Sequence, residues 1–300
     1  MNDSFNKTIP VILDTDIGDD MDDTWALAMM LNSPELDVKL VVSAVGDTLY
    51  RAKLIGKLLE TARRMDISVG IGIREKEDGA NGRQAAWVKD YDLRRYPGKV
   101  HEDGVQAMID VILAASGPVT LISIGPTPNI AQMLRREPRV AGKCRFVGMH
   151  GSIRRGYDGR EGAAAEYNVK ADIPSCQAVF AAPWREMTIT PLDTCGVVRL
   201  KGEKYRMVCG HRDPLVRAVI ENYRIWLGDK PDEGRSSILY DTVAIYLAFA
   251  DQLLAMERMG IKIDDEGFTR QDSGGASVKV AMDWKDLGAF EDFLVERLTR

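Results

Sequence analysis

Short apolar runs alternate with longer amphipathic stretches along most of this 300-residue chain. That is the pattern of β-α units, in which helices cover a mainly parallel sheet. The first run, Ile9-Pro10-Val11-Ile12-Leu13, is continuous rather than alternating, as expected of a strand buried on both faces. Further strands are predicted at residues 38–44, 68–73, 119–124, 145–149 and 187–190. Helices are predicted at residues 24–31, 50–64, 104–115, 129–135, 174–181, 214–226 and 238–250, and from 285 to the last residue. Two polar stretches interrupt the rhythm, 74–99 and 151–162; the first is too long for a minimal connection and reads as a lid or an insertion. No internal repeat or linker composition divides the chain. Residues 1–300 therefore read as one Rossmann-like α/β domain, with a mixed, mainly parallel sheet flanked by helices and an active site at the carboxyl ends of the strands.

The junction of the first strand and first helix carries the strongest chemical signal. Asp14, Asp16, Asp19, Asp20, Asp22 and Asp23 crowd into ten residues, with Gly18 supplying backbone freedom for a turn. Carboxylates this close repel one another, so a cation or a helix N-terminus must offset them, whereas a merely solvated acidic loop would not be wedged between two apolar elements. Asp14, with Thr15, also has a plain reading as a cap of the turn.

Bulk composition narrows the partners. At 45% hydrophobic residues the chain can bury a large core, and its net charge of -5 gives no electrostatic footprint for nucleic acid. Cys144, Cys176, Cys195 and Cys209 are widely spaced with only three histidines to accompany them, which argues for reduced thiols and against a zinc site. The first seven residues contain no apolar signal core, and no stretch has the length of a membrane span. A soluble cytoplasmic protein acting on a small molecule is the expectation, with neither nucleic acid nor membrane as partner.

Asp14-Thr15-Asp16-Ile17-Gly18 followed by Asp22-Asp23-Thr24-Trp25-Ala26-Leu27 resembles the aspartate-rich signature of the inosine-uridine-preferring nucleoside hydrolases. Asp19-Asp20-Met21 lengthens the turn, so Asp19-Asp20 competes with Asp22-Asp23 as the family's aspartate pair; the following Ala26-Leu27 favours the latter. Matches continue in order. Val45-Gly46-Asp47 resembles the family's Val-Gly-Asn, Ile124-Gly125-Pro126-Thr127-Pro128-Asn129 its Gly-Pro turn, Met149-His150-Gly151 its Met-Gly-Gly, Glu166-Tyr167-Asn168 its Glu-Phe-Asn, and Asp241 its late aspartate.

The resemblance implies calcium-dependent hydrolysis of the N-glycosidic bond of a ribonucleoside to ribose and free base. Calcium takes six to eight oxygen ligands, which carboxylates, a carbonyl, water and ribose hydroxyls supply together. By resemblance Asp16, Asp23, Asp241 and the carbonyl of Ile124 would hold the metal. Asp16 would be the general base for a metal-activated water, and Asp22, Asp47, Met149, Glu166, Asn168 and Asp241 would contact the ribose. Family members are commonly dimers or tetramers, which implies a homo-oligomer.

Tyr240 stands where these hydrolases carry the histidine thought to protonate the departing base. With an ordinary pKa of about 10, tyrosine is a weaker acid near neutrality. That departure keeps a second reading open, a metal-bound ribose- or nucleoside-recognition protein with little catalysis. A dehalogenase-like phosphatase is weaker because Gly18 replaces the hydroxyl residue expected after the second aspartate, and an EF-hand fails because Trp25 occupies its glutamate position. His101 and His150 are not assigned catalytic roles, and the tryptophans read as packing residues, Trp87 being the best candidate for a base-stacking platform.

Overall fold

The computed structural model describes residues 8–74 and 82–300. Within them one sheet runs through β1 (Ile9–Thr15), β2 (Leu36–Ser43), β3 (Ser68–Ile71), β4 (Val100–His101), β5 (Val119–Ser123), β6 (Cys144–Met149), β7 (Glu186–Thr190), β8 (Leu254–Ile263), β9 (Thr269–Gln271) and β10 (Ala276–Trp284). Their spatial order is β4-β3-β2-β1-β5-β6-β7-β10-β8-β9. Pairing is parallel from β4 to β10 and antiparallel between β10 and β8 and between β8 and β9. The sheet is thus mixed and mainly parallel, flanked by helices.

Alternation along β1 feeds two separate cores. Val11 and Leu13 join the cluster containing the helices Asp22–Leu31, Thr48–Thr61, Pro214–Leu227 and Leu287–Leu298. Ile12 joins the opposite one, with the helices Gly104–Ala114, Pro128–Arg136 and Ile173–Ala181. Because β1 is covered on both faces, its sequence is apolar without a break.

This topology fixes where a ligand can bind. From β1 the chain lays down β2, β3 and β4 outward on one side, then returns to place β5 on the other side of β1. Crossovers leave β1 and β5 in opposite directions, opening a crevice at the carboxyl ends of these strands. Asp16 and Ile124 follow the last residues of those two strands.

The last third departs from the sequence pattern. β8 and β10 fall outside the predicted strands, since Glu257, Arg258 and Lys262 interrupt any clean alternation in β8. The helix predicted over 238–250 is confined to Thr242–Leu247, because the preceding segment is extended: Ser236 and Leu239 donate their N–H groups to the carbonyls of Leu200 and Val198 at 2.9 Å each. In the 74–99 stretch, residues 75–81 lie outside the described residues, while Trp87, Val88, Leu93 and Tyr96 are buried in the core that contains the helix Thr48–Thr61. Trp87 is therefore a packing residue, with the Lys57 ammonium 4.2 Å from its ring centroid.

Candidate active site

The turn after β1 is held by an inner set of hydrogen bonds. Gly18 has φ +116°, and a Cβ there would come within 2.8 Å of Leu54 and Tyr50, so only glycine fits. The Tyr50 hydroxyl donates to the Gly18 carbonyl at 3.0 Å, and Arg51 donates from Nη1 to the Ile17 carbonyl at 2.9 Å. Thr15 accepts from the Ile17 N–H at 3.1 Å and donates its hydroxyl proton to Asp23. Asp16, Asp22 and Asp23 are buried, whereas Asp19 and Asp20 are exposed at the rim. Asp14 points away from this group and accepts from Asn129 Nδ2 at 2.8 Å, tying β1 to the turn after β5.

Loops after β5 and β6 close the site. At Gly125 a Cβ would lie 2.7 Å from Asp16 Oδ1, so the missing side chain is what lets this turn approach the carboxylate. Glu166 caps the short helix Tyr167–Lys170 through the N–H groups of Asn168 and Val169, at 2.7 and 3.3 Å, and also accepts from Gly151 N–H at 3.0 Å. Asn168 Nδ2 donates to the Met149 carbonyl at 3.0 Å and reaches the Ile124 carbonyl at 3.4 Å. Asp241 precedes the helix Thr242–Leu247 but makes no side-chain capping bond; its carboxyl meets that of Asp22 instead.

Burial dominates the electrostatics. It pushes the pKa of Asp16 up to about 6 against the opposing field of Arg51, and that of Glu166 up to about 7 against its three backbone donors. Asp22, Asp23 and Asp241 are held well above the usual carboxylate range, first by burial and then by the charge of neighbouring aspartates, Asp16 and Asp20 among them. One oxygen from each of these three lies within 4.8 Å of the others. Such a dry, oxygen-only donor set fits a hard divalent cation, which would offset charge that the protein leaves largely uncompensated.

A single cavity brings together Asp16, Asp22, Asp23, Ile124, Met149, Glu166, Asn168, Tyr240 and Asp241. Asp22 joins the tight carboxylate triad and Asp16 stands beside it, whereas the sequence reading assigned Asp16 to the metal and Asp22 to the ribose. Asp47 is placed elsewhere: it caps the helix Thr48–Thr61 by accepting from Tyr50 N–H at 3.1 Å, and faces Arg74 at 3.5 Å. Burial, with the neighbouring acids, raises the Tyr240 hydroxyl above its ordinary value.

Sequence reasoning missed Tyr157, Tyr167 and Arg83, which also line the cavity, and Gln84 behind them. Gln84 is fully buried and bonds to the Asp20 carbonyl, Asn222 and the Tyr50 hydroxyl at 2.8, 2.7 and 3.1 Å. Its place in a polar loop gave no signal of burial. Asp193 similarly accepts the N–H groups of Ile153, Arg154 and Arg155, bracing the loop that carries Tyr157.

A crevice at a strand-order reversal, filled with buried carboxylates and a methionine-asparagine shelf, defines a metal-compatible site for a small polar ligand. The profile of the family described as "Inosine-uridine preferring nucleoside hydrolase" matches residues 11–291. The chain belongs to this family and is thereby a hydrolase acting on N-glycosyl bonds. Among curated relatives, the pyrimidine-specific ribonucleoside hydrolase RihA of Salmonella agona is 25% identical, over 97% of this chain and 98% of its own. The non-specific ribonucleoside hydrolase RihC of Klebsiella pneumoniae is 32% identical over 57% of this chain and 58% of its own. A plant nucleoside hydrolase superposes with a TM-score of 0.83 at 21% identity, covering 97% of this chain and 99% of that one. A purine-preferring ribonucleoside hydrolase from Gardnerella vaginalis has a TM-score of 0.79 at 19% identity, covering 97% and 98%. Among the described residues no helix is long and apolar enough to cross a membrane.

Proposed function

We propose that the chain is a calcium-dependent enzyme that hydrolyses the N-glycosidic bond of a ribonucleoside to ribose and free base. The observation that carries this reading is the convergence of Asp16, Asp22, Asp23 and Asp241 beside Ile124 at the mouth of the β1/β5 crevice. Asp16, Asp23, Asp241 and the Ile124 carbonyl would hold the cation, with Asp22 completing the carboxylate wall. When bound, calcium would supply positive charge that acidifies a water. Asp16 accepts the water proton. Asp22, Glu166 and Asn168 take ribose hydroxyls, and Met149 packs against the sugar. As C1′–N breaks, positive charge grows on the ribosyl ring, and the surrounding acids stabilise it.

In this reading Asp47 serves through the helix it caps, a role supported by its hydrogen bond from Tyr50 N–H, rather than by gripping ribose. Uridine and cytidine are the first substrates to test, because the RihA relative that spans nearly the whole chain is described as pyrimidine-specific. The same proposal includes a homo-oligomer, checked by light scattering, and a cytoplasmic location, supported by four cysteines none of which forms a disulfide. Tyr240, in place of the histidine the family carries, favours the second reading of a recognition protein with little turnover. A panel of purine and pyrimidine ribonucleosides, assayed for released base with calcium present, separates the two. Turnover establishes the hydrolase, and tight binding with no released base establishes the alternative.

A further inference from the structure

We propose that Arg83 is the leaving-group residue of this site: its guanidinium meets the departing base at the cavity mouth, stabilises the negative charge the base acquires, and so selects bases that carry a ring carbonyl. The inference rests on the hydrolase reading and deepens it.

Among the described residues lining the cavity, Arg83 is the only cation. The guanidinium lies over the Trp226 indole, 4.3 Å from the ring centroid. Trp226 is itself fixed, donating Nε1–H to the Asp19 carbonyl at 3.0 Å and stacking on Tyr223 with centroids 5.7 Å apart. Stacking engages the face of a guanidinium and leaves its edge N–H donors available, with the rim carboxylate Asp20 in its field. Its backbone is anchored by the neighbouring Gln84, whose buried side chain joins the acidic turn to Asn222 on the helix Pro214–Leu227. A mobile surface arginine would have none of these supports.

The chemistry needs such a group. A guanidinium stays charged throughout the working pH range. The C1′–N bond breaks with its electron pair passing to the base, and negative charge spreads to a ring carbonyl oxygen facing Arg83. Water oxygen bonds to C1′, its proton passes to Asp16 and then to solvent, and the released base takes a proton from solvent. Arg83 transfers no proton in this sequence. Adenine has no ring carbonyl and gains least.

The test compares wild type, Arg83→Gln and Arg83→Lys, all with calcium, on uridine, inosine, adenosine and p-nitrophenyl β-D-ribofuranoside. Nitrophenolate departs without help, so its release reports the ribosyl half of the site alone. Arg83→Gln is expected to lower kcat on uridine and inosine by about 100-fold, the scale of one lost charge-stabilising donor. Nitrophenyl riboside turnover stays near wild type, adenosine stays slow for both, and Arg83→Lys recovers part of the loss. A parallel fall on all four substrates, or no fall on uridine and inosine, overturns the role of Arg83 while leaving the hydrolase reading intact. A wild-type protein that releases nothing, nitrophenolate included, overturns both.

Discussion

Replacing Gly125 with alanine perturbs one distance at the centre of the site. The new Cβ would lie 2.7 Å from Asp16 Oδ1 and 2.9 Å from Asp16 N. Ordinary carbon–oxygen contact would require the carboxylate to retreat by roughly 0.7 Å, since the β1 backbone behind it is locked between two strands. A displacement approaching 1 Å at a reacting group costs about 100-fold, so kcat should fall by about that factor. Overpacking of this size costs about 1–3 kcal/mol of stability, which leaves a folded protein. Gly125 does not adopt a left-handed φ, so the effect is steric. The assay is kcat at saturating ribonucleoside with a parallel melting curve. Gly142→Ala, where no atom lies within 4 Å of the new Cβ, serves as the neutral control. A Gly125→Ala enzyme with wild-type kcat would show that Asp16 is not positioned by this turn, and the reasoning would be wrong.

Other perturbations follow from the same contacts. Gln84→Leu strands the Asn222 amide and the Asp20 carbonyl, so chemical denaturation should show a loss of about 1–3 kcal/mol, with a raised KM from a loosened rim. Asp47→Ala removes a helix cap and should cost about 1 kcal/mol while kcat stays near wild type; a large kcat loss would return Asp47 to the ribose site. Burial pushes His150 down to about 4, below its unfolded value, so the unfolded chain binds the extra proton first as pH falls. The stability His150 contributes is present above pH 6.5 and lost toward pH 4, by about 3 kcal/mol, and the difference between wild type and His150→Gln in urea melts should shrink across that window. Calcium at 100 times its dissociation constant should stabilise by about 2.7 kcal/mol, read as a rise in melting temperature reversed by chelator.

The sequence made the front of the molecule readable for physical reasons. Short continuous apolar runs such as residues 9–13 fit strands covered on both faces, and crowded aspartates after the first could only be tolerated in a buried turn if something offset them. Asp16, Asp22, Asp23, Glu166, Asn168 and Asp241 were all singled out, and all line one cavity. β8 to β10 were illegible because an antiparallel extension near the sheet edge leaves positions such as Glu257 and Arg258 exposed, which blurs a period of two. Gln84 and Arg83 were invisible for a different reason: their roles arise from Asn222, Asp20 and Trp226, contacts over sequence separations that local patterning does not encode. Asp47, matched to a motif whose asparagine the chain does not keep, caps the helix Thr48–Thr61 outside that cavity.

Asp16→Asn tests the central claim most directly, because it removes a base while keeping shape and one oxygen. With calcium bound, the account predicts a fall in ribose release of at least about 1000-fold in kcat, with nucleoside affinity by calorimetry changed little. Near-normal kcat in Asp16→Asn would mean that another group takes the water proton, and would contradict the account.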